Sequence, residues 1–424
     1  MNAATPLTAP SIRWWILFFI SLALFGNYYV YDSIAPVAEL LQRELGFSDT
    51  QLGTLNAIYS LPNIVLVLVG GVLADRYGAA WVSCVTAGLC LAGALVTVLA
   101  DGFVMMAAGR LLFGIGAETM IVATMIPLAR WFSGRSVAFA MALALAVARV
   151  GSYSADLSPT WAAAAYAGGW QTPLWIAAAI SALGFAATLA YALAERGRTP
   201  PDVAARGIDP PFAWRDVWRF DRSYWYVVAL CVLFYACVFP FRTFSILYLQ
   251  HASGLPLAEA GQMNSSLPLA AIVATPLFGL MSDRFGHRAG SLVVGSGLLA
   301  LAFVLLTTMP MAPLTAMLLL GIAFALVPAV LWPAVSFLAE PRRLGTAFGL
   351  MTMLQNIGLT LSNLTAGSLN DAAGAGAENP GGYLPMLTFF IALAIVGFVF
   401  AVLLWRRERG PHGHGMESAR PAPQ

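Results

Sequence analysis

The sequence predicts an all-α membrane protein with twelve transmembrane helices in two six-helix repeats. Of its 424 residues, 59% are hydrophobic and only 10% are charged, and the mean hydropathy is +0.78. Such a composition cannot supply the polar surface of a soluble protein of this size. Apolar spans long enough to cross a bilayer recur along nearly the whole chain, without the short alternating segments of a membrane β-barrel. The lipid bilayer is therefore the expected environment.

The spans divide the chain into five predicted segments. An N-terminal tail at 1–11 precedes a six-helix bundle at 12–195, and an arginine- and proline-rich stretch at 196–222 is predicted to be a cytoplasmic central loop. A second bundle follows at 223–405, and the tail at 406–424 is expected to be disordered. Helices four and five lie in the hairpin 110–156; the other predicted helices span about 12–36, 51–74, 80–100, 172–195, 223–249, 257–282, 288–308, 313–338, 344–369 and 383–405.

The arginine distribution predicts the orientation. All 22 basic residues are arginines; only Arg43 falls in an outer loop, and three lie inside helices, namely Arg110, Arg149 and Arg242. The rest fall in the tails, the central loop and the inner turns, as the positive-inside rule requires when both termini are cytoplasmic. The lysine-free, alanine-rich composition favours a bacterial source, and hence a bacterial inner membrane.

The hairpin of helices four and five carries charge at membrane depth. Glu118 lies 12 residues before Arg130, and Arg149 lies 14 residues after Arg135, on either side of the turn. At about 1.5 Å per residue, both are roughly 20 Å from this turn, near the bilayer centre. A charge there costs roughly 2.5–3.5 kcal/mol or more, so it faces protein or a water-filled cavity. We interpret the pair as a solute site; the alternative is a buried salt bridge that holds the hairpin together.

An internal repeat links the two halves. Gly71-Val-Leu-Ala-Asp75-Arg76-Tyr-Gly78 recurs 208 residues later as Gly279-Leu-Met-Ser-Asp283-Arg284-Phe-Gly286. Parallel repeats about an axis along the membrane normal place a solute pathway at their interface. The G-x-L-x-D-R-x-G repeat, twelve helices and a long central loop resemble the major facilitator superfamily. That resemblance implies that Asp75 and Asp283, with their neighbouring arginines Arg76 and Arg284, belong to a cytoplasmic latch, with Arg343 as the partner of Asp75 and Arg135 as that of Asp283. The alternative is that they only shape the turns.

Four further charges are expected near the outer side. Arg110 begins a segment that resembles the R-x-x-x-G-x-G motif of the superfamily. Counting residues from the turn of the hairpin puts Arg110 level with Asp156. We predict that Arg110 has a structural role and pairs with Asp156. Asp32 and Arg242 fall near the outer ends of helices one and seven, which oppose each other in the superfamily. They are predicted to form an outer-gate ion pair.

A more specific resemblance concerns the substrate. Tyr59-Ser-Leu-Pro-Asn63, Ala148-Arg149-Val-Gly-Ser152, Leu331-Trp332-Pro333 and the Gln355-Asn356 pair resemble the lysosomal dipeptide transporter branch and its bacterial relatives. The resemblance implies facilitated movement of dipeptides, with Glu118 binding the peptide amine and Arg149 its carboxylate. Arg149 suits a carboxylate because its planar fork donates two hydrogen bonds. Tyr59, Trp332 and Gln355 could line the side-chain space, or could equally be core aromatics and interhelical hydrogen-bond partners.

Two other functions stay open. The chain could be a proton-coupled organic anion carrier in which Arg149 binds the anion and Glu118 or Asp32 carries the proton. It could also be a non-transporting membrane sensor or scaffold on the same fold, although intact membrane charges speak against this. An enzyme is not expected, since no nucleophile-plus-base pair stands out and the soluble segments are short. No cofactor, metal site or nucleic-acid partner is predicted, and an accessory subunit is left undetermined.

Overall fold

The computed structural model describes residues 9–132, 135–196, 217–309 and 313–418, and these residues form a helical protein with no strand. Ten of its helices are long and apolar enough to cross a membrane. The two remaining membrane helices are helix two, which is interrupted, and helix five, which carries Arg149 and Asp156. Twelve membrane helices in two bundles result, as the sequence predicts.

Helices one and two are each built from two pieces. Helix one consists of Ala9–Asp32 and Ile34–Leu45, and helix two of Asp49–Ser60 and Asn63–Tyr77. Pro36 and Pro62 lie at the start of the second pieces, where a missing backbone N–H breaks the helical hydrogen-bond ladder. Helix one therefore extends to Leu45, beyond the end predicted at residue 36.

The other membrane helices agree closely with the predicted spans. A connection predicted as an alanine-rich loop contains two short helices, Ser158–Trp161 and Ala163–Ala167. Helices three to twelve are, in order, Ala79–Val98, Phe103–Trp131, Arg135–Asp156, Gln171–Glu195, Arg222–Ser253, Leu257–Phe285, Arg288–Thr308, Pro313–Leu338, Leu344–Ala373 and Leu384–Glu408.

The two bundles meet mainly through two pairs of helices, and helix one also contacts helix seven. Helix two packs against helix eleven, and helix five packs against helix eight. On the outer side this contact is closed by hydrogen bonds: the Asp371 carboxylate accepts from the amides of Asp49 and Thr50, each at 2.8 Å. Asp371 of one bundle thus caps the first amides of helix two in the other bundle, where a carboxylate is favoured by the helix dipole. These contacts join the two bundles at the end that the sequence predicts to be the outer side.

The C-terminal tail, predicted to be disordered over 406–424, is structured as far as Ser418: residues 406–408 continue helix twelve, and residues 409–418 pack against the C-terminal bundle. Met416 is fully buried, and its carbonyl accepts from the amide of Arg288 at 3.1 Å. The Glu417 carbonyl accepts from the amide of His287, and its carboxylate accepts from the amide of Gly290, both at 3.2 Å. The tail thereby satisfies free N–H groups at the start of helix nine. Residues 419–424 lie outside the described part.

A polar cluster fixes the base of this tail. The Glu408 carboxylate accepts hydrogen bonds from Ser223 Oγ and from the amide of His414, each at 2.7 Å. Arg407 donates to Asp221, just before helix seven, at 2.7 Å. Burial opposes ionisation of Asp221, but hydrogen bonds from the Ser223 amide and the Arg407 guanidinium lower its pKa to about 2. The carboxylate is therefore ionised at neutral pH and joins helices seven and twelve.

Gly286 gives a stability test of the docked tail. Its φ of +70° and ψ of −128° are accessible mainly to glycine, and a Cβ there would lie 2.5 Å from the backbone of Ser418. We expect Gly286→Ala to lower stability by about 1–3 kcal/mol, measured by thermal unfolding in detergent. Gly279→Ala is the matched control, because a Cβ at this helical position meets nothing within 4 Å. Equal melting temperatures for the two variants would contradict the packing of the C-terminal tail against Gly286.

Candidate functional site

A cavity of about 410 Å³ lies between the two bundles. Its size falls in the range of roughly 300–1,000 Å³ that is typical of small-molecule sites. It brings together all five residues that the sequence proposes for substrate contact: Tyr59, Glu118, Arg149, Trp332 and Gln355. The rest of its lining is formed by Asn27, Tyr28, Tyr31, Ile121, Val122, Leu145, Tyr235, Phe239, Thr352, Asn356 and Leu359.

Glu118 is the acidic group of the cavity. It shares one face of helix four with Ile121 and Val122, at the i+3 and i+4 positions. Tyr59 Oη donates to Glu118 Oε1 at 3.4 Å. A Cβ on Gly114 would overlap the Tyr59 carbonyl, so this glycine lets helix four lie close to helix two. The second carboxylate oxygen of Glu118 has no hydrogen bond from the described residues and is free to accept one from a solute.

Arg149 is the basic group of the cavity. Its guanidinium lies between two aromatic rings, with Cζ 5.2 Å from the ring centroid of Tyr28 and 5.2 Å from that of Phe324. Tyr28 belongs to the N-terminal bundle and Phe324 to the C-terminal bundle, so both bundles hold the cation in place. Its Nη1 atom is buried and has no hydrogen-bond partner. A carboxylate entering the cavity would satisfy this donor.

Glu118 and Arg149 are not paired with each other. Within the described part of the chain, no ion pair joins these two side chains, although both line the cavity. The alternative of a plain salt bridge across the hairpin is therefore not supported. The cavity presents one negative and one positive pole, both from the N-terminal bundle.

The C-terminal bundle supplies a neutral, aromatic wall. Trp332 Nε1 donates to Tyr235 Oη at 2.9 Å, and Tyr235 stacks on Phe239 with ring centroids 5.5 Å apart. Gln355 Oε1 accepts from Cys231 Sγ at 3.4 Å, which leaves the Gln355 amide nitrogen free to donate. The lining on helix eleven follows helical spacing, with Thr352, Gln355, Asn356 and Leu359. This wall can bind apolar groups and amide carbonyls.

Sequence reasoning missed several aromatic residues of the cavity. Tyr28 and Tyr31 of helix one, and Tyr235 and Phe239 of helix seven, line it. Tyr235 and Phe239 are four residues apart, as expected for one helical face. Polar aromatic residues repeated along one face of a membrane helix would have indicated these positions.

The predicted outer-gate contact between Asp32 and Arg242 is present, and it includes a third residue. Arg242 Nη1 lies 3.1 Å from Asp32 Oδ1, and Arg242 Nη2 donates to Asp156 Oδ2 at 2.7 Å. Asn264 donates to Asp156 Oδ1 at 2.9 Å. Asp32 and Asp156 belong to one bundle and Arg242 and Asn264 to the other, so the contact joins the two bundles; its role as an outer gate stays a prediction.

The predicted pairing of Arg110 with Asp156 is wrong. Asp156 faces the other bundle, whereas Arg110 is buried among helices one and two. Arg110 donates to four oxygens there, namely those of Val30, Tyr31 and Leu55 on the backbone and Oδ1 of Asn56. The two side chains have different partners: Arg110 contacts helices one and two, whereas Asp156 contacts Arg242 and Asn264 of the other bundle. Through these hydrogen bonds Arg110 joins helix four to helices one and two, and a structural role is what the sequence predicts for it.

The inner latch stays a prediction. The side chains of Asp75 and of Arg135 lie outside the described residues. Asp283 is 80% exposed and contacts Arg288 of its own hairpin at 3.2 Å. Arg284 lies over the ring of Phe285, and Arg76 over that of Tyr77. Gly78 and Gly286 both end their helices with positive φ, but the second turn is one residue longer, with His287 also at positive φ.

Two six-helix bundles around a central polar cavity are an architecture typical of membrane transporters, in which the solute site lies between the two halves. A family model of the Major Facilitator Superfamily matches residues 20–362 and 243–423. The chain belongs to the major facilitator superfamily, as a multi-pass integral membrane protein.

Comparisons with individual proteins add detail. The human lysosomal dipeptide transporter MFSD1 is 29% identical over 418 residues, covering 93% of this chain and 86% of that protein. A probable sulfoacetate transporter of Cupriavidus necator, SauU, is 26% identical and covers 86% and 88%. Among solved structures, an inward-facing, unoccupied bacterial homolog of the human lysosomal transporter Spinster matches both full chains with a TM-score of 0.76 at 18% identity. This structural likeness shows the fold.

Proposed function

We propose that the chain moves small zwitterionic solutes, most specifically dipeptides, across a membrane by alternating access. One observation carries the proposal: a carboxylate and a guanidinium, on Glu118 and Arg149, line a single cavity without forming an ion pair among the described residues, and Arg149 Nη1 has no hydrogen-bond partner. A dipeptide presents an amine and a carboxylate separated by one peptide bond. In this proposal Glu118 binds the amine, Arg149 the carboxylate, and the Gln355 amide the peptide carbonyl. The relation to MFSD1 supports the same substrate class.

The mechanism follows from where these groups lie. Both charged poles belong to the N-terminal bundle, while Phe324, Trp332 and Gln355 belong to the C-terminal bundle. A bound solute therefore touches both bundles and favours the state in which they close around it. In the opposite half of the cycle, the contact of Arg242 with Asp32 and Asp156 would open, and the inner latch would form. Net movement would then follow the solute gradient unless another ion is coupled.

The first test is thermal unfolding of the purified protein with a panel of dipeptides, amino acids, organic anions and sugars. A ligand at 100 times its dissociation constant should stabilise the protein by about 2.7 kcal/mol. We expect stabilisation by dipeptides in the wild type and its loss in Glu118→Gln and Arg149→Ala. Arg43→Ala is the control and should respond as the wild type does, because Arg43 is an exposed residue in the last turn of helix one, away from the cavity.

Modified ligands test each pole separately. An N-acetylated dipeptide lacks the amine, so it should bind poorly to the wild type, and Glu118→Gln should weaken it little further. A dipeptide with a C-terminal amide lacks the carboxylate, so it should bind poorly to the wild type, and Arg149→Ala should weaken its binding little further. If the losses of binding caused by each ligand modification and each substitution added up in every combination, the assignment of the two poles would be contradicted.

A second candidate is an organic anion carrier. The free Nη1 donor of Arg149 and the similarity to a probable sulfoacetate transporter favour it. Stabilisation by small carboxylates or sulfonates alone, unchanged by Glu118→Gln, would support this function over dipeptide transport. Uptake into proteoliposomes separates both candidates from a sensor or scaffold, which would bind a ligand without moving it.

A further inference from the structure

A buried asparagine of helix one adjoins both charged positions of the cavity. Asn27 lines the cavity and is 5% exposed. Its Nδ2 donates at 3.4 Å to the carbonyl of Ala117, the residue that precedes Glu118. The residue after Asn27 is Tyr28, whose ring centroid lies 5.2 Å from Arg149 Cζ. Asn27 is therefore fixed beside the groups that hold the negative and the positive pole.

The side-chain oxygen of Asn27 lacks a donor. Its Oδ1 atom is buried and has no hydrogen-bond partner among the residues that the structure describes. A buried acceptor without a donor is unfavourable, so native structures nearly always supply one. A much smaller cavity, of about 10 Å³, also borders Asn27, but Ser181 is the one other residue of its described lining with an oxygen or nitrogen in the side chain. A bound water needs at least about 10–15 Å³ and about two to four polar partners. The missing donor is therefore expected from the solute.

The peptide group of a dipeptide supplies such a donor. It lies between the amine and the carboxylate, and in a planar trans peptide the C=O and the N–H point in opposite directions. Gln355, on helix eleven of the C-terminal bundle, accepts from Cys231 and keeps its amide nitrogen for the C=O. Asn27 belongs to helix one of the N-terminal bundle, so its acceptor comes from the other bundle. The two amide side chains thus complement the two halves of one peptide group.

We propose that Asn27 accepts a hydrogen bond from the peptide N–H of a bound dipeptide and so selects ligands with an unsubstituted peptide bond. This role depends on the proposed dipeptide function, which it refines. A ligand without the N–H leaves Asn27 Oδ1 buried and without a donor, and a site built around a hydrogen bond strongly rejects a ligand that lacks it. Dipeptides with proline or an N-methylated residue in second position are therefore rejected, whereas a primary amino acid there supplies the N–H.

Two ligands of almost the same shape test this role. Alanyl-alanine carries the peptide N–H, and alanyl-lactate has an ester oxygen in its place without added bulk. Their dissociation constants follow from the concentration dependence of the thermal stabilisation of the purified protein. We expect the wild type to bind alanyl-lactate at least about tenfold more weakly than alanyl-alanine. Asn27→Leu, which has a similar volume and no acceptor, should lose most of this difference, and so should Asn27→Ala, which serves if the leucine variant does not fold.

Asn356→Leu is the matched control, because Asn356 is an asparagine of the same cavity that is 3% exposed but lies on the same helix as Gln355. It should keep the ratio of the two dissociation constants even where both change. Equal binding of the two ligands by the wild type, with both weakened in Glu118→Gln and Arg149→Ala, would overturn the role of Asn27 and leave dipeptide binding intact. A ratio lost in Asn356→Leu but kept in Asn27→Leu would overturn it as well. If no dipeptide binds the wild type, the proposed function fails together with this role.

Discussion

Replacing Gly53 or Gly367 by valine is expected to reduce uptake by at least 100-fold, a barrier change of about 2.7 kcal/mol. A Cβ at Gly53 of helix two would overlap the Asn363 carbonyl of helix eleven. A Cβ at Gly367 would overlap the Asp49 carbonyl and lie 2.8 Å from Thr50 Cα. In both cases the obstacle is backbone of the other bundle, which cannot move aside as a flexible side chain can. The outer side can therefore no longer close.

The same variants should still fold and bind. The valine side chains are free of this overlap when the outer side is open, so these proteins should still be stabilised by ligand in thermal unfolding while proteoliposome uptake is lost. Gly279→Val of helix eight is the control, because its Cβ meets nothing within 4 Å. Uptake at the wild-type rate in both interface variants would show that this contact does not have to form during transport.

Removing the charge of Arg242 should have the second large effect. Arg242→Gln leaves Asp32 and Asp156 buried without a cation, and breaking a buried pair in this way typically costs about 3–5 kcal/mol. We expect the outer gate to open and uptake to fall at least 100-fold. Two measurements test this: uptake into proteoliposomes, and the electron–electron distance between spin labels on cysteines that replace Arg43 and Glu378, two exposed residues of opposite bundles.

A variant in which all three charges are neutralised tests this explanation better than a variant in which two charges are exchanged. Exchanging Asp32 with Arg242 would place a new aspartate against Asp156, so this exchange is not expected to restore the gate. The triple variant Asp32→Asn, Asp156→Asn, Arg242→Gln has no charge left among these three residues and should close again. Arg288→Gln, a buried arginine at the start of helix nine, is the control for general destabilisation. A triple variant as open as Arg242→Gln would contradict the electrostatic account of the gate.

The sequence determined the fold and the depth of each charge. Apolar length and composition required membrane helices, and the repeated glycine- and aspartate-containing turn indicated two related halves. The rise of about 1.5 Å per residue placed Glu118 and Arg149 at one level, and the structure has both in one cavity. These properties are local, because they depend on spacing along a single helix or hairpin.

Only the tertiary structure decided which groups meet. Depth along a hairpin says nothing about the direction in which a side chain points, so Arg110 and Asp156, which residue counting puts level, face different partners. The shared contact of Arg242 with two acids depends on how the two bundles pack against each other. The tail residue Met416 is buried because the start of helix nine offers free N–H groups to its neighbouring backbone. Such contacts join residues that are distant in sequence, and no local pattern specifies them.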